Sequence, residues 1–474
     1  MKNINKIIAL LFLISAVVIF PGCKKYFDKT DNPNLVQDPS VNSMLTSATQ
    51  KAGLNTQRFA SFNTFYTQYQ ASPTASSATD TYQITDNSSQ WNNAYYAMAD
   101  LYDMITKAQS TGATEHLGVA QLLMAYHLGL VADTWGSAPY TEAFGSVVTL
   151  NPTYDSEESL YQSSMTLIDQ SIANLQLTTA TIALDPASDL VHAGSRTAWL
   201  KTAYGIKARF LNKISKKSTY NAAAVLTAVA SSYTDATTEA KMNVFLGVNP
   251  WAQLAIGNSS ALLGGWLSDN FINSLNGTTY GIFDPRIEKI TDRTVNNNYV
   301  GTRNGTGNLG GSNTVRDENY ISVSSPLTTQ SAPVFILTYS EIKFIQSEAA
   351  FRAGDRVTAY EAYLAGIRAN MTSLGVAISS PASVAYLASV SVGAANLTLD
   401  QIFKEKYIAL YLSPESWNDL RRHDYKYKDF RLPVGAVLTN FIRRVAYPND
   451  ERTRNGANVP AEVSLDAPLW WDKP

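Results

Sequence analysis

Apolar residues recur at helical spacing from Trp91 onward, where Tyr95, Met98, Tyr102 and Ile105 share one face and Gly112 supplies a stop. Leu117 to Asp133 repeats the pattern through Leu122, Leu123, Tyr126 and Leu130, so two long helices are expected close together. Ser156 is a suitable N-cap with Glu157 and Glu158 in the first turn, opening a third helix through Leu160, Leu167, Ile168 and Leu175. A fourth, Arg196 to Ser215, is expected to bury Trp199, Ala203, Ile206, Phe210 and Ile214. Amphipathic helices at this density predict an α-solenoid or bundle.

The pattern breaks between about Lys241 and Ser331. "GVNPWAQLAIGNSSALLGGWLSDN" and "TVNNNYVGTRNGTGNLGGSNTVRDENYIS" are dense in Gly and Asn, with short alternating pieces and no sustained helical period. A long irregular insertion with a little strand is expected, and loops of such length are usually functional. It contains Gly305-Thr306-Gly307-Asn308-Leu309-Gly310, formally a dinucleotide fingerprint, but no strand is expected before it and no helix after it. Helical order returns at Thr338 and turns at Gly354-Asp355, and Ala359, Tyr363 and Ile367 mark the buried side of the next helix. That order of Gly-Asp, Ala and Tyr resembles the second half of a tetratricopeptide unit. Thr398 and Gln401 predict a capping box on a helix carrying Phe403, Tyr407, Leu410 and Tyr411, and after Arg422 the chain reads as irregular to Pro474.

The N-terminal pattern is of another kind. Lys2 and Lys6 precede an apolar stretch from Ile7 to Phe20, and Gly22 stands before Cys23, the only cysteine in 474 residues. This reads as a signal peptide over residues 1–22. As a helix its apolar stretch would rise roughly 21 Å, short of the roughly 30 Å hydrocarbon core, which argues against a membrane span. The segment resembles a lipobox, with Phe20 where the usual box has Leu, so Cys23 is expected to carry the lipid; ordinary secretion with a free thiol is the alternative. Several acyl chains on one residue make a stable anchor. Residues 23–43, rich in turn formers and charge, are expected to form the lipidated tether, and 44–474 a single body.

Charge adds an exclusion. Loss of Lys2 and Lys6 moves the formal net charge from −2 to −4, and nothing in that balance attracts nucleic acid. Charged residues are 16% of the chain against 11% aromatic, with 26 Tyr, which suits a large neutral surface recognising polar, uncharged ligands.

Several stretches together resemble the SusD/RagB family of outer-membrane nutrient-uptake lipoproteins of Bacteroidetes. Beyond "CKKYFD", they are "ADTWGSAPYTEAF" (132–144), "SRTAWLKTAYGIKARFLNKIS" (195–215), "ILTYSEIKFIQSEAAFRAGD" (336–355), "IFKEKYIALYLSPESWNDLRRHDY" (402–425) and "IRRVAYPNDERTRNGANV" (442–459), with a Trp470-Trp471-Asp472 ending. "SPES" at 413–416 stands where many relatives have a glycine, a departure confined to a turn. The resemblance implies a mainly α fold, a tetratricopeptide-like helical-pair scaffold (about 44–240 and 332–425) with long irregular insertions and minor β. It implies a ligand platform in the insertion (about 241–331) and an irregular C-terminal segment (426–474). It also implies a non-enzymatic, surface-exposed lipoprotein anchored in the outer membrane. Such a protein binds oligomeric nutrients, glycans above all, and passes them to a SusC-type TonB-dependent transporter.

Catalytic chemistry is not legible. No two of the four histidines have the spacing of HExxH, and no GxSxG is present, so neither a catalytic site, a metal nor a cofactor is expected. His127 reads as a packed core histidine. Glu405, Glu415, Arg421 and Arg422 read as an intramolecular ion-pair cluster rather than an anion site, and Trp135 and Tyr140 as packing around a helix end. The ligand candidates are aromatic rings outside regular helices. Trp251, Trp266, Tyr280, Tyr299 and Tyr320 fall in the insertion, and Tyr66, Tyr69, Tyr82 and Trp91 surround "ASPTASSATDTYQ". Such rings stack on sugars while Asn and Gln bond hydroxyls, or else they anchor their loops to the core. A surface-anchored glycoside hydrolase, a peptide-binding member of the same family and a purely structural protein-binding partner are the competing readings.

Overall fold

The computed structural model describes residues 38–145, 149–261, 264–309, 317–461 and 463–474. The expected signal peptide, Cys23 and most of the tether lie outside the described residues. Helix α1 (Val41–Asn63) opens the body three residues ahead of the expected start. Strand β1 (Gln70–Ala71) follows, then α2 (Ser88–Thr111), α3 (Thr114–Trp135), α4 (Glu157–Gln176), α5 (Arg196–Lys213) and α6 (Ala222–Ala230), each helix packing on the one before. Local signals set these bounds. Gly112 ends α2 in the left-handed conformation at φ 67°, and the side chains of Ser156 and Ser195 accept bonds from Ser159 N and Ala198 N as N-caps. Helix α3 is apolar around nearly its whole circumference because its neighbours α2, α4, α1 and α5 surround it. His127 is buried there, with Nδ1 2.7 Å from Leu123 O.

Strand β2 (Ala240–Met242) starts the insertion. It holds α7 (Pro250–Ala261), β3 (Trp266–Leu267), α8 (Asp269–Leu275) and α9 (Ile287–Ile290), and closes with β4 (Val334–Leu337). β2 and β4 pair antiparallel, Ala240 opposite Leu337, so the chain leaves and re-enters the scaffold at one point. The 12-residue α7 corrects the expectation of a segment without sustained helix. Pro250 is pre-set for a first helical turn, and the Asn249 side chain accepts from Trp251 N at 2.8 Å. Its start is therefore set by capping and not by an apolar stripe.

Helix α10 (Tyr339–Arg352) then packs on α6, α11 (Arg356–Ser373) packs on α10 across the Gly354-Asp355 turn, and α12 (Pro381–Val390) and α13 (Leu399–Ala409) follow. Thr398 and Gln401 form the full capping box. At Leu412, beside the "SPES" turn, the backbone takes a left-handed φ of 66° without a glycine. Helix α14 (Glu415–Arg422) and the short α15 (Asn449–Arg454) complete a mainly α fold of tetratricopeptide-like pairs with two small two-stranded sheets among the described residues.

A buried ionic cluster ties α14 into the body. Arg422 bonds Glu348 at 2.7 Å and Asp419 at 2.6 Å, Lys406 meets Asp419 at 2.8 Å, Arg209 meets Glu341 at 2.7 Å, and Lys213 bonds Asp133. Arg421 donates to the carbonyls of Asp133 and Arg443, both at 2.7 Å. With Glu415, these cations and carboxylates are equal in number and all buried, yet burial still outweighs the partners at Asp133, Glu341 and Arg421. Arg421, Arg422 and Glu415 are structural, as expected, whereas Glu405 belongs to a different cluster.

Candidate functional site

Three irregular stretches distant in sequence assemble on one another. Asp80, buried in the loop after β1, accepts from Ser72 N at 2.9 Å, Gly305 N at 3.0 Å and Asn304 Nδ2 at 2.9 Å. β1 pairs with β3, Val434 N donates to Asn304 O at 3.0 Å, and Val437 N donates to Thr81 O at 2.9 Å. Gly305 and Gly307 of the false dinucleotide fingerprint serve this docking. Gly305 sits at φ 88°, and a Cβ there would lie 2.0 Å from Val434 O.

A cleft of about 810 Å³ opens where this layer meets the scaffold, a size suited to a small ligand. Tyr280 of the insertion lines it together with Lys426, Tyr427 and Lys428 of the segment after α14. Lys404 and Glu405 of α13 lie on its floor beside Tyr363 of α11, and Asp400 stands at the rim.

The floor is electrically closed. Arg286 bonds Asp284 at 2.6 Å, Glu405 at 2.5 Å and the Tyr386 hydroxyl at 3.0 Å. Lys404 reaches the same hydroxyl at 2.6 Å and also bonds Glu405. Burial alone would raise the Glu405 carboxyl, but Lys404 and then Arg286 overcome it and hold it down at about 2. Tyr280 is half-buried, with Lys404 Nζ 4.9 Å and Lys428 Nζ 5.9 Å from its ring centroid. Burial, then the Glu405 charge, pushes its phenol up to about 12, so near neutral pH it stays a donor and an acceptor.

The lysine-bearing wall is strained. Asp424, Tyr425 and Asp429 take φ of 52°, 55° and 62°, a conformation costing roughly 1–2 kcal/mol per non-glycine residue. The turn is held by Tyr425, whose ring stacks on Phe441 at 4.4 Å and whose hydroxyl accepts from Trp417 Nε1 at 2.9 Å. Asp424 is fixed by Lys216 at 2.6 Å and Arg443 at 2.9 Å. Strain of this kind gathers at functional sites.

Of the nine aromatic residues expected as ligand candidates, only Tyr280 lines this cleft. Trp266, Trp251, Trp91, Tyr82 and Tyr69 are fully buried, and Trp266 has no exposed area at all. Packing accounts for each. Trp266 meets Tyr320 edge-on at 6.1 Å, Trp91 packs on Trp135 and Tyr95, and Tyr69 stacks on Tyr407 at 4.6 Å and bonds its carbonyl. Tyr82 packs on Tyr66 and borders a smaller apolar cleft of about 410 Å³ beside Ile84 and Val437. Trp251, the second residue of α7, is buried in the hydrophobic core. As placed, Trp266, Trp91 and Tyr69 offer no face to a sugar. Tyr299 is half-buried against Phe283 at 6.1 Å with Arg293 4.9 Å over its ring, and Tyr320 is half-buried beside Trp266.

Tyr427, Tyr363 and the three lysines were not legible as site residues. The available signal was the alternation of aromatic and lysine residues in "DYKYKDF" (424–430), inside a segment without helical period. Trp135 is buried at the end of α3, donating to Ala446 O at 3.1 Å. Among the described residues no three His, Cys, Asp or Glu side chains converge as metal ligands do.

Comparisons with known proteins agree with this architecture. A family described as SusD-like, starch-binding and associating with the outer membrane matches residues 33–448. Among solved structures, a chitin-binding SusD homologue from Flavobacterium johnsoniae superposes with a TM-score of 0.75 at 22% identity, covering 90% of this chain and 98% of that one. A SusD/RagB family protein from Bacteroides thetaiotaomicron VPI-5482 gives 0.73 at 21% identity, with 92% and 99% covered. A SusD homologue from Bacteroides ovatus gives 0.75 at 20%, with 92% and 99% covered. No curated protein matches the chain. With the family matched over most of its length and the helical-pair fold shared with these neighbours, the chain belongs to the SusD-like family.

Proposed function

We propose that the protein is a non-enzymatic, cell-surface lipoprotein that binds oligosaccharide in the Tyr280 cleft and delivers it to a SusC-type TonB-dependent transporter. The observation that carries the reading is a cleft of about 810 Å³ lined by Tyr280 and Tyr427, in a chain of a family described as starch-binding. Tyrosine rings stack on the apolar face of a sugar while their hydroxyls bond its hydroxyls. The relative from Flavobacterium johnsoniae binds chitin, which supports a glycan as ligand. The cleft is a poor hydrolase site. Such chemistry needs one carboxyl kept protonated, and the Glu405 carboxyl is held at about 2 by Lys404 and Arg286. Lipidation at Cys23 anchors the body to the outer membrane, and transport itself falls to the partner.

Titration with maltoheptaose and chitopentaose tests the site. Tyr280→Ala is expected to weaken binding roughly five- to two-hundred-fold, as loss of ~1–3 kcal/mol of stacking and burial implies, with the melting temperature little changed. Unchanged affinity would remove the cleft from the reading, and sugar turnover would replace it with a hydrolase. In the native membrane, mild detergent should recover a stoichiometric large β-barrel protein, and Cys23→Ser should release the body; repeated recovery of the protein alone would argue against the partnership.

A further inference from the structure

We infer that the Tyr280 cleft selects oligosaccharides carrying acetyl groups, as acetamide or as acetate ester; this rests on the cleft being the glycan site. Besides the rings of Tyr280 and Tyr427, the aliphatic side chains of Ile282, Val390 and Val392 line it. All three pack against the hydrophobic core yet stay partly exposed. Val390 ends α12, and Val392 N donates back to Val390 O at 3.0 Å, so one backbone turn carries both valines. A flat aromatic ring accepts the C–H face of a sugar, whereas a branched aliphatic group beside it meets hydroxyls, which lose water there and find no partner. An acetyl methyl carries no such cost, and covering it against these side chains is favourable.

Donors for the rest of the substituent line the same cleft. The Gln401 side chain accepts from Thr398 N at 2.9 Å through Oε1, which leaves its amide NH2 as a donor. Lys404 has three N–H groups, of which the Tyr386 hydroxyl and Glu405 take two. Either donor suits the carbonyl oxygen of an acetyl group, in an amide and an ester alike. Charge sets no competing preference. Exposed Lys426 and Lys428 are balanced by exposed Asp400 and Asp429, and buried Glu405 and Asp284 by Arg286 and Lys404. A neutral ligand fits that balance, and the aliphatic side chains then discriminate among neutral sugars.

Calorimetric titration with matched neutral pairs tests the inference. One pair is chitotetraose against cellotetraose, which share a β-1,4 backbone and differ at the acetamido group; the other is O-acetylated xylotetraose against its deacetylated form. The acetylated member of at least one pair should bind about fourfold tighter or better, the factor that burying one methyl group gives, and the ratio should hold as salt rises. Which pair shows it identifies the substituent. The double variant Val390→Thr/Val392→Thr puts hydroxyls in place of methyls and should bring the ratio to about one; should it not fold, the single Val392→Thr should lower the ratio. Equal affinity within both pairs, binding of neither acetylated sugar, or a ratio that survives in the valine variants overturns the inference, and the glycan site still stands if Tyr280→Ala weakens maltoheptaose binding. If Tyr280→Ala leaves every ligand bound as in the wild type, the glycan site itself fails, and the inference with it.

Discussion

Trp266 and Tyr280 lie 14 positions apart in one aromatic-rich insertion, yet their surroundings give them different work. Trp266 has no exposed area and joins β3 to the layer through Tyr320, while Tyr280 keeps part of its ring at the cleft. An irregular segment lacks the continuous apolar stripe that fastens a helix, so single large rings fasten it instead. Trp266→Ala is therefore expected to destabilise the protein by ~3–5 kcal/mol, the usual cost of emptying a buried tryptophan site. Thermal melts beside glycan titration check this: a wild-type melting point with lost affinity would make Trp266 a ligand ring after all.

Among the elements, the turn around Gly305 joins all three irregular stretches. Its backbone receives Ser76 N at 3.0 Å, gives Gly305 N to Asp80, and lies against Val434. Gly305→Ala would put a methyl group 2.0 Å from Val434 O and force an L-residue to hold φ 88°, a cost of at least about 1–2 kcal/mol. The variant should speed amide exchange at Ser76, Val434 and Val437, with α10 and α11 protected as before. Wild-type exchange at Val434 and Val437 would show that the layer does not depend on this contact.

The whole molecule depends on the buried ionic cluster, which joins α5, α10, α13 and α14 across more than 200 residues of sequence. Arg422 is its most connected member, bonding Glu348, Asp419, Asn212 O and the Ser215 hydroxyl. Glu348 and Asp419 would be left buried beside an absent cation in Arg422→Ala. The variant should lose roughly 3–5 kcal/mol of stability, read from denaturant unfolding. A loss under ~1 kcal/mol would mean that the carboxylates find water or other partners.

What the sequence determined by itself was whatever depends on residues within a few positions of one another. Apolar stripes placed α2 to α5, Gly112 and Ser156 marked helix ends, and Thr398 with Gln401 formed the box their spacing implied, because helix bonds and caps close over three or four residues. The composition of the insertion likewise marked it as distinct. Only the tertiary structure decided which of its rings are anchors and which face a cleft, since without a helical or strand period nothing local distinguishes an inward side chain from an outward one. The cleft itself joins Tyr280, Tyr363, Lys404 and Tyr427, and their meeting depends on β2 pairing with β4, α11 packing on α10 and the strained turn at Asp424. Each of these is a long-range contact or a backbone conformation imposed by its surroundings, so the site exists only in the folded chain.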